Sequence, residues 1–290
     1  MKIIEITYRY DGSDTTARLR PADADAARAR LEDGSRSISA LLASLNEGTG
    51  TAQRVIPVDP RDLGFTLDGP GAPQQRPYAA VLGCSDARVP IELIFNEGPN
   101  DLFVVRVAGN GLGSEVLGSL KYAVDHLGGS LKLIVVLGHS GCGAVSAAVD
   151  AFLNPQTYLA FAAQHALRGI VDRLLVVVNS AAMRMVTAFG PEVVRRAGYR
   201  ATLIEVAVVS NAALAAYTLQ QEIGIADSNG MRAAYGVYLL EARQVWAPRA
   251  GSIECAGLAY PPSDFAAFGD FGDAVLRTER IARLLDGATF

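Results

Sequence analysis

Residues 78–107 read YAAVLGCSDARVPIELIFNEGPNDLFVVRV, and residues 132–143 read KLIVVLGHSGCG. Three short apolar runs stand out: Tyr78 to Gly83, Leu102 to Val107 and Lys132 to Gly138. Each has the length of a strand and is nearly continuous in hydrophobicity, as strands covered on both faces of a parallel sheet are. A helical pattern from Gly113 to Leu127 separates the second run from the third, and Pro90 ahead of Ile91 to Phe95 marks a short helix between the first two. This β-α-β-α-β alternation predicts an α/β fold with a mostly parallel central β-sheet flanked by helices.

Working outward, Met1 to Tyr10 alternates like a short strand. Asp23 to Leu31 and Ile38 to Leu45 read as two helices, with Ser37 as N-cap of the second. Asn46 to Arg76 is rich in Gly, Pro, Asp and Gln and reads as a long loop. Downstream, the stretches around Tyr158 to Phe189 and Ile204 to Ile223 are helical. Ala233 to Glu241 and Gln244 to Pro248 form two strands about an Ala242-Arg243 turn, and Phe265 to Asp286 is a helical tail. The resulting division is an N-terminal extension at 1–22, a single catalytic domain at 23–262 and a C-terminal helical tail at 263–290.

The chain has 290 residues, half of them hydrophobic, and a net charge of −4. That balance offers no basic stripe to neutralise phosphates, so nucleic acid is not an expected partner. No uncharged apolar run reaches the roughly 18 residues of a membrane span. The N-terminus lacks the pattern of a signal peptide, and three cysteines are a poor disulfide framework, so a cytoplasmic location is expected.

Two of those cysteines sit where chemistry gathers. The first strand runs into Gly83-Cys84-Ser85-Asp86-Ala87-Arg88 and the third into Gly138-His139-Ser140-Gly141-Cys142-Gly143. Ligands of open parallel sheets collect at the carboxyl ends of strands. Two thiolates and an imidazole are a donor set that zinc selects, and three protein ligands leave a position for water. Arg88, two residues from Asp86, can hold its carboxylate by two parallel hydrogen bonds and keep it ionised. Cys255 lies far off in a Gly-rich loop and is read as a bystander, while His126 and His165 fall in helices as ordinary surface or packing residues. Gly109-Asn110-Gly111-Leu112-Gly113 does not fit G-x-G-x-x-G, so a dinucleotide site is rejected.

The stretch from about Gln74 to Val149 resembles the β-carbonic anhydrase family, through its Cys-x-Asp-x-Arg element and later His-x-x-Cys. Weaker echoes continue at Ser210-Asn211-Ala212 and Tyr235-Gly236-Val237-Tyr238. The resemblance implies zinc on Cys84, His139 and Cys142, an Asp86–Arg88 dyad, and reversible hydration of carbon dioxide to bicarbonate by zinc-bound hydroxide. It implies Gln75 (or Gln74 in the other register) as a substrate-orienting residue and Phe103 and Tyr122 as apolar pocket walls. It also implies a homodimer or homotetramer with the pocket shared across a dimer, the helix from Ile38 to Leu45 embracing a neighbour. Ala87, Val107 and the Gly128-Gly129-Ser130 turn depart from the family's pattern. Val81 stands where a regulated subgroup has tryptophan, which favours a site that is not closed by Asp86. Hydrolysis of carbonyl sulfide or carbon disulfide on the same metal is a second reading, and a non-catalytic zinc- or bicarbonate-binding scaffold is a third.

Overall fold

The computed structural model describes residues 2–10, 19–46, 50–64, 72–162, 164–223, 230–248 and 257–290. In chain order, the elements begin with β1 (Lys2–Tyr10), α1 (Ala24–Ala43), β2 (Gly50–Val58), β3 (Ala79–Gly83) and α2 (Ile91–Ile94). Next come β4 (Leu102–Arg106), α3 (Ser114–Leu127), β5 (Leu133–His139), α4 (Gly143–Leu153) and α5 (Pro155–Ala162). Then follow α6 (His165–Phe189), α7 (Tyr199–Glu222), β6 (Arg232–Leu239), β7 (Gln244–Trp246), α8 (Phe265–Leu276) and α9 (Glu279–Leu285).

The apolar runs of β3 and β5 lie at the middle of the main sheet and are buried along their whole length. Strand order is β4-β3-β5-β6-β7, parallel throughout except for the antiparallel β6–β7 pair. The alternate residues of each strand feed two cores. Ala80, Leu82, Ile134 and Val136 face a core that takes in α3, α4, α6, α7 and the C-terminal helices. Ala79, Val81, Leu133 and Val135 face a smaller core closed by α1 and α2 through Ala24, Ala27, Leu31, Ile91 and Ile94. Helices thus cover both faces, as a parallel sheet requires.

The strand order also creates the site. From β3 the chain moves outward to β4, whereas from β5 it moves the other way to β6. Connections diverging from two adjacent parallel strands leave a crevice at their carboxyl ends. Cys84 and His139 occupy those two ends.

Several elements differ from the expectations. The two N-terminal helices are one, α1, capped by the Asp23 carboxylate accepting from Ala26 N–H at 2.8 Å. Gly34 lies inside the helix, at a place where the carbonyl oxygen of Phe95 leaves no room for a side chain. Ser37 is therefore not a cap; its hydroxyl donates to the Asp33 carbonyl one turn back. The stretch read as a loop contains β2, which pairs in parallel with β1 from Lys2↔Gly50 to Tyr10↔Val58. Parallel pairing needs a crossover, and α1 supplies it, so the boundary drawn at residue 22 runs through a β-α-β unit. The face of α1 that packs on its own chain includes Ala24, Ala27, Leu31 and Ile38, while Leu45 is exposed.

The C-terminal tail is two helices, broken at Arg277-Thr278, with Thr278 capping α9. Phe271, Val275, Ile281 and Leu285 join the larger core, so the tail is packed into the fold. Gly198 allows that approach, since a Cβ there would overlap the Leu284 carbonyl. α7 is long and apolar enough to cross a membrane, but its apolar residues, Leu203, Val206, Ala207 and Val209 among them, are buried against the sheet and neighbouring helices.

Candidate metal centre

Gly83 pairs with Leu137 in the β3–β5 register, so the strand ends that carry Cys84 and His139 lie side by side. Gly141, at a φ of 60° that favours glycine, turns the chain after His139 and brings Cys142 to the start of α4. The donor atoms of Cys84, His139 and Cys142 all lie within 4.8 Å of one another, and all three residues are buried. Tetrahedral zinc with two sulfurs and one nitrogen holds such atoms about 3.5 to 4 Å apart, so a small contraction completes the geometry.

The histidine is oriented for a ligand. Its Nδ1 lies 3.0 Å from the Ser140 carbonyl, which fixes Nδ1 as the donor and leaves Nε2 with its lone pair. Nε2 is buried without a hydrogen-bond partner. A buried nitrogen with nothing to bond is costly unless a cation completes it. The donor set and this unpaired atom fit a soft divalent metal.

The thiols support the same conclusion. The Cys142 thiol donates to the Cys84 sulfur and pulls the Cys84 pKa down to about 4. Burial opposes this, and His139 and the Gly109 N–H add to it. Cys142 is pushed up by that same hydrogen bond, by burial and by the charge on Cys84, while the N–H groups of Val145 and Ala144 at the start of α4 work against the rise. The pair therefore readily carries one negative charge; a bound cation would stabilise the second.

Asp86 stands beside the cluster, its Oδ2 3.8 Å from His139 Nε2. Arg88 grips both carboxylate oxygens, Nε to Oδ1 at 2.9 Å and Nη2 to Oδ2 at 2.6 Å, and the Arg88 backbone N–H adds a third bond at 2.9 Å. The Arg88 guanidinium holds the Asp86 carboxyl well below the usual carboxylate range, against the opposing effect of burial.

Residues to which the motif reading gave no part in the site build its floor. Arg106 donates to the Cys84 carbonyl at 2.9 Å and to the Asp86 carbonyl at 2.6 Å, clamping the loop that carries both. Gly109, at a φ of 68°, directs its N–H to the Cys84 sulfur at 3.4 Å. Asn110 donates to the Leu137 carbonyl of β5, and Asn211 of α7 donates to the Gly109 carbonyl at 2.8 Å. The glycine-rich turn after β4 is thus a support for a sulfur ligand. Its glycines and asparagine, placed directly after a strand, were the available signal.

The three expected substrate-pocket residues are not gathered at the cluster of their own chain. Gln75 is exposed and precedes β3, before the end of the strand opposite Cys84. Tyr122 is 50% exposed on the single chain. The buried stripe of α3 is Val116, Leu120, Ala123 and Val124; Tyr122 falls off it and stacks on His126 instead, with ring centroids 4.4 Å apart. Phe103 is half-buried in β4, packed against the larger core. Val81 is buried within β3. His126 and His165 lie in α3 and at the start of α6, away from the three clustered donors. Cys255 lies outside the described residues.

Comparison with known proteins adds a separate line of observation. Residues 79–212 match the family model described as carbonic anhydrase. Carbonic anhydrase 2 of Mycobacterium tuberculosis is 54% identical over 77 residues, covering 27% of this chain and 36% of that protein. The carbonic anhydrase of Mycolicibacterium smegmatis is 46% identical over 100 residues, 34% of this chain and 45% of that protein. The chain therefore spans less than half the length of these curated relatives. The Coccomyxa β-carbonic anhydrase solved with acetazolamide is 23% identical with a TM-score of 0.49, over 67% of this chain and 78% of that one. Cys84, Asp86, Arg88, His139 and Cys142 all lie inside the stretch of this chain that matches the carbonic anhydrase model.

Proposed function

We propose that the protein is a zinc-dependent carbonic anhydrase that interconverts carbon dioxide and bicarbonate. The observation that carries this reading is the convergence of two sulfurs and an unpaired imidazole nitrogen beside an arginine-held carboxylate. Cys84, His139 and Cys142 would hold the metal. Bound there, zinc would act as a Lewis acid that lowers the pKa of water to about 7.

The remaining chemistry belongs to the chain. Asp86, kept ionised by Arg88, accepts a hydrogen bond from the reacting water and so directs an oxygen lone pair at the substrate carbon. With both oxygens engaged by Arg88, the Asp86 carboxylate is not free to turn onto the metal, which favours an open site. Ser140 holds the imidazole in one tautomer. Burial of the donors keeps competing water from the sulfurs. Carbon dioxide, uncharged and a weak hydrogen-bond partner, suits a pocket with apolar walls.

Such walls would come from a second copy. Gln75 and Tyr122 are exposed on a single chain, and a homodimer or homotetramer sharing its pockets would give them a role. A cytoplasmic location is part of the proposal, since a reducing compartment keeps two adjacent thiols available to metal.

The test is stopped-flow carbon dioxide hydration by protein of measured zinc content. Zinc-loaded protein that is inactive between about pH 7 and 9, where a zinc-bound water ionises, would refute the proposal. Running carbonyl sulfide beside carbon dioxide separates the hydrolase reading from the hydratase.

A further inference from the structure

The C-terminal helix α9 places one arginine in the support of the metal-binding loop. Arg280 is largely buried and bridges two acids. Its Nε lies 2.7 Å from Glu205 of α7, a residue only 4% exposed, and its Nη1 lies 2.6 Å from Glu241, just beyond β6. The other oxygen of Glu241 accepts from the Ser140 hydroxyl at 3.0 Å. That hydroxyl in turn accepts from the Leu240 N–H at 2.9 Å, and the Ser140 N–H bonds the Tyr238 carbonyl at 3.0 Å. Ser140 is the residue whose carbonyl orients His139. Hydrogen bonds from the tail thus reach the Ser140 side chain, and the covalent frame of Ser140 links them to the carbonyl that holds the imidazole.

We propose that Arg280 is a positioning residue of the metal centre, acting through Glu241 and Ser140 on His139. The inference rests on the zinc reading above. Groups that orient a ligand from behind set its aim and basicity, and their loss costs about 10- to 100-fold in metal affinity. Glu241 alone would be a carboxylate free to swing into solvent. Arg280 fixes it from one side, and Glu205 pins Arg280 from the other. Glu205 is too deeply buried to be left unpaired cheaply, which makes the docked position of α9 the favoured one. The tail thereby contributes to the site without touching substrate.

The experiment uses the full chain loaded with zinc. Zinc retention is measured by competition with a chromophoric chelator for wild type, Arg280→Ala, Arg280→Lys and Arg283→Ala. Arg283 lies on the same helix, exposed, against the Phe290 ring, and should be silent. The absorption spectrum of the cobalt-substituted forms reports ligand geometry independently of turnover. The expected result is a 10- to 100-fold loss of zinc affinity and an altered cobalt spectrum in Arg280→Ala, with partial recovery in Arg280→Lys. A folded Arg280→Ala protein that retains zinc and the cobalt spectrum as wild type does would overturn the inference. If Arg280→Ala fails to fold, Glu241→Gln decides: it keeps the Arg280–Glu205 pair and should still weaken zinc, and unchanged affinity there overturns the proposal. Wild-type protein that binds no zinc would instead sink the metal reading, and this inference with it.

Discussion

Two regions of the molecule serve the same metal centre in different ways. The loops after β3 and β5 supply the three clustered donors and the arginine-held carboxylate, packed into two short motifs. The C-terminal helices would supply support from far along the chain, through Arg280, which is itself 75 and 39 residues from its partners Glu205 and Glu241. The first region acts by bond and charge, and the second by holding geometry. A site of this kind has a small chemical nucleus and a wide structural base, and damage to the two should look different.

The sharpest test of that contrast is Cys84→Ser. It replaces a thiolate by a poor zinc ligand and should abolish both metal content and hydration, read as zinc per chain by atomic emission. Zinc-replete Cys84→Ser would erase the distinction between nucleus and base. Asp86→Asn should come next, keeping zinc but lowering kcat/KM by about 100-fold or more, because the reacting water loses a charged acceptor. Equal loss of zinc in that variant would move Asp86 from chemistry to structure.

Effects in the supporting regions should fall on stability. Leu31 of α1 is fully buried in the smaller core. Leu31→Ala should cost about 2 to 5 kcal/mol in denaturant unfolding, while zinc per folded chain stays at the wild-type level. Tyr122→Ala should be smallest in stability, within about 0.5 kcal/mol, as its side chain is half exposed. Its turnover is the informative reading. A clear fall in kcat/KM with unchanged stability would place Tyr122 in a pocket completed by a second copy, and no change would leave it a surface residue.

The local patterns were legible because they obey local rules. The runs at 79–83 and 133–138 carry no polar side chain because both sheet faces are covered, and that shows in composition alone. The sulfur and imidazole donors stood at the ends of those runs, where a parallel sheet exposes its crevice, so the candidate ligands and the Asp86–Arg88 pair could be named from spacing. The reading of α1 as two helices failed for the opposite reason: its middle is held by packing, with Gly34 pressed against the Phe95 backbone, and that contact is not written in neighbouring residues.

Sequence by itself determined the parallel sheet, the three clustered donors and the dyad, since strand periodicity and ligand chemistry are properties of a few neighbouring residues. Tertiary structure alone decided the β1–β2 pairing across α1, the clamp of Arg106 on the Cys84 loop, the glycine turn aimed at the sulfur, and the seat of Arg280 between Glu205 and Glu241. Those contacts join residues tens of positions apart, and their energy depends on burial and approach distance, which no short stretch of polypeptide encodes.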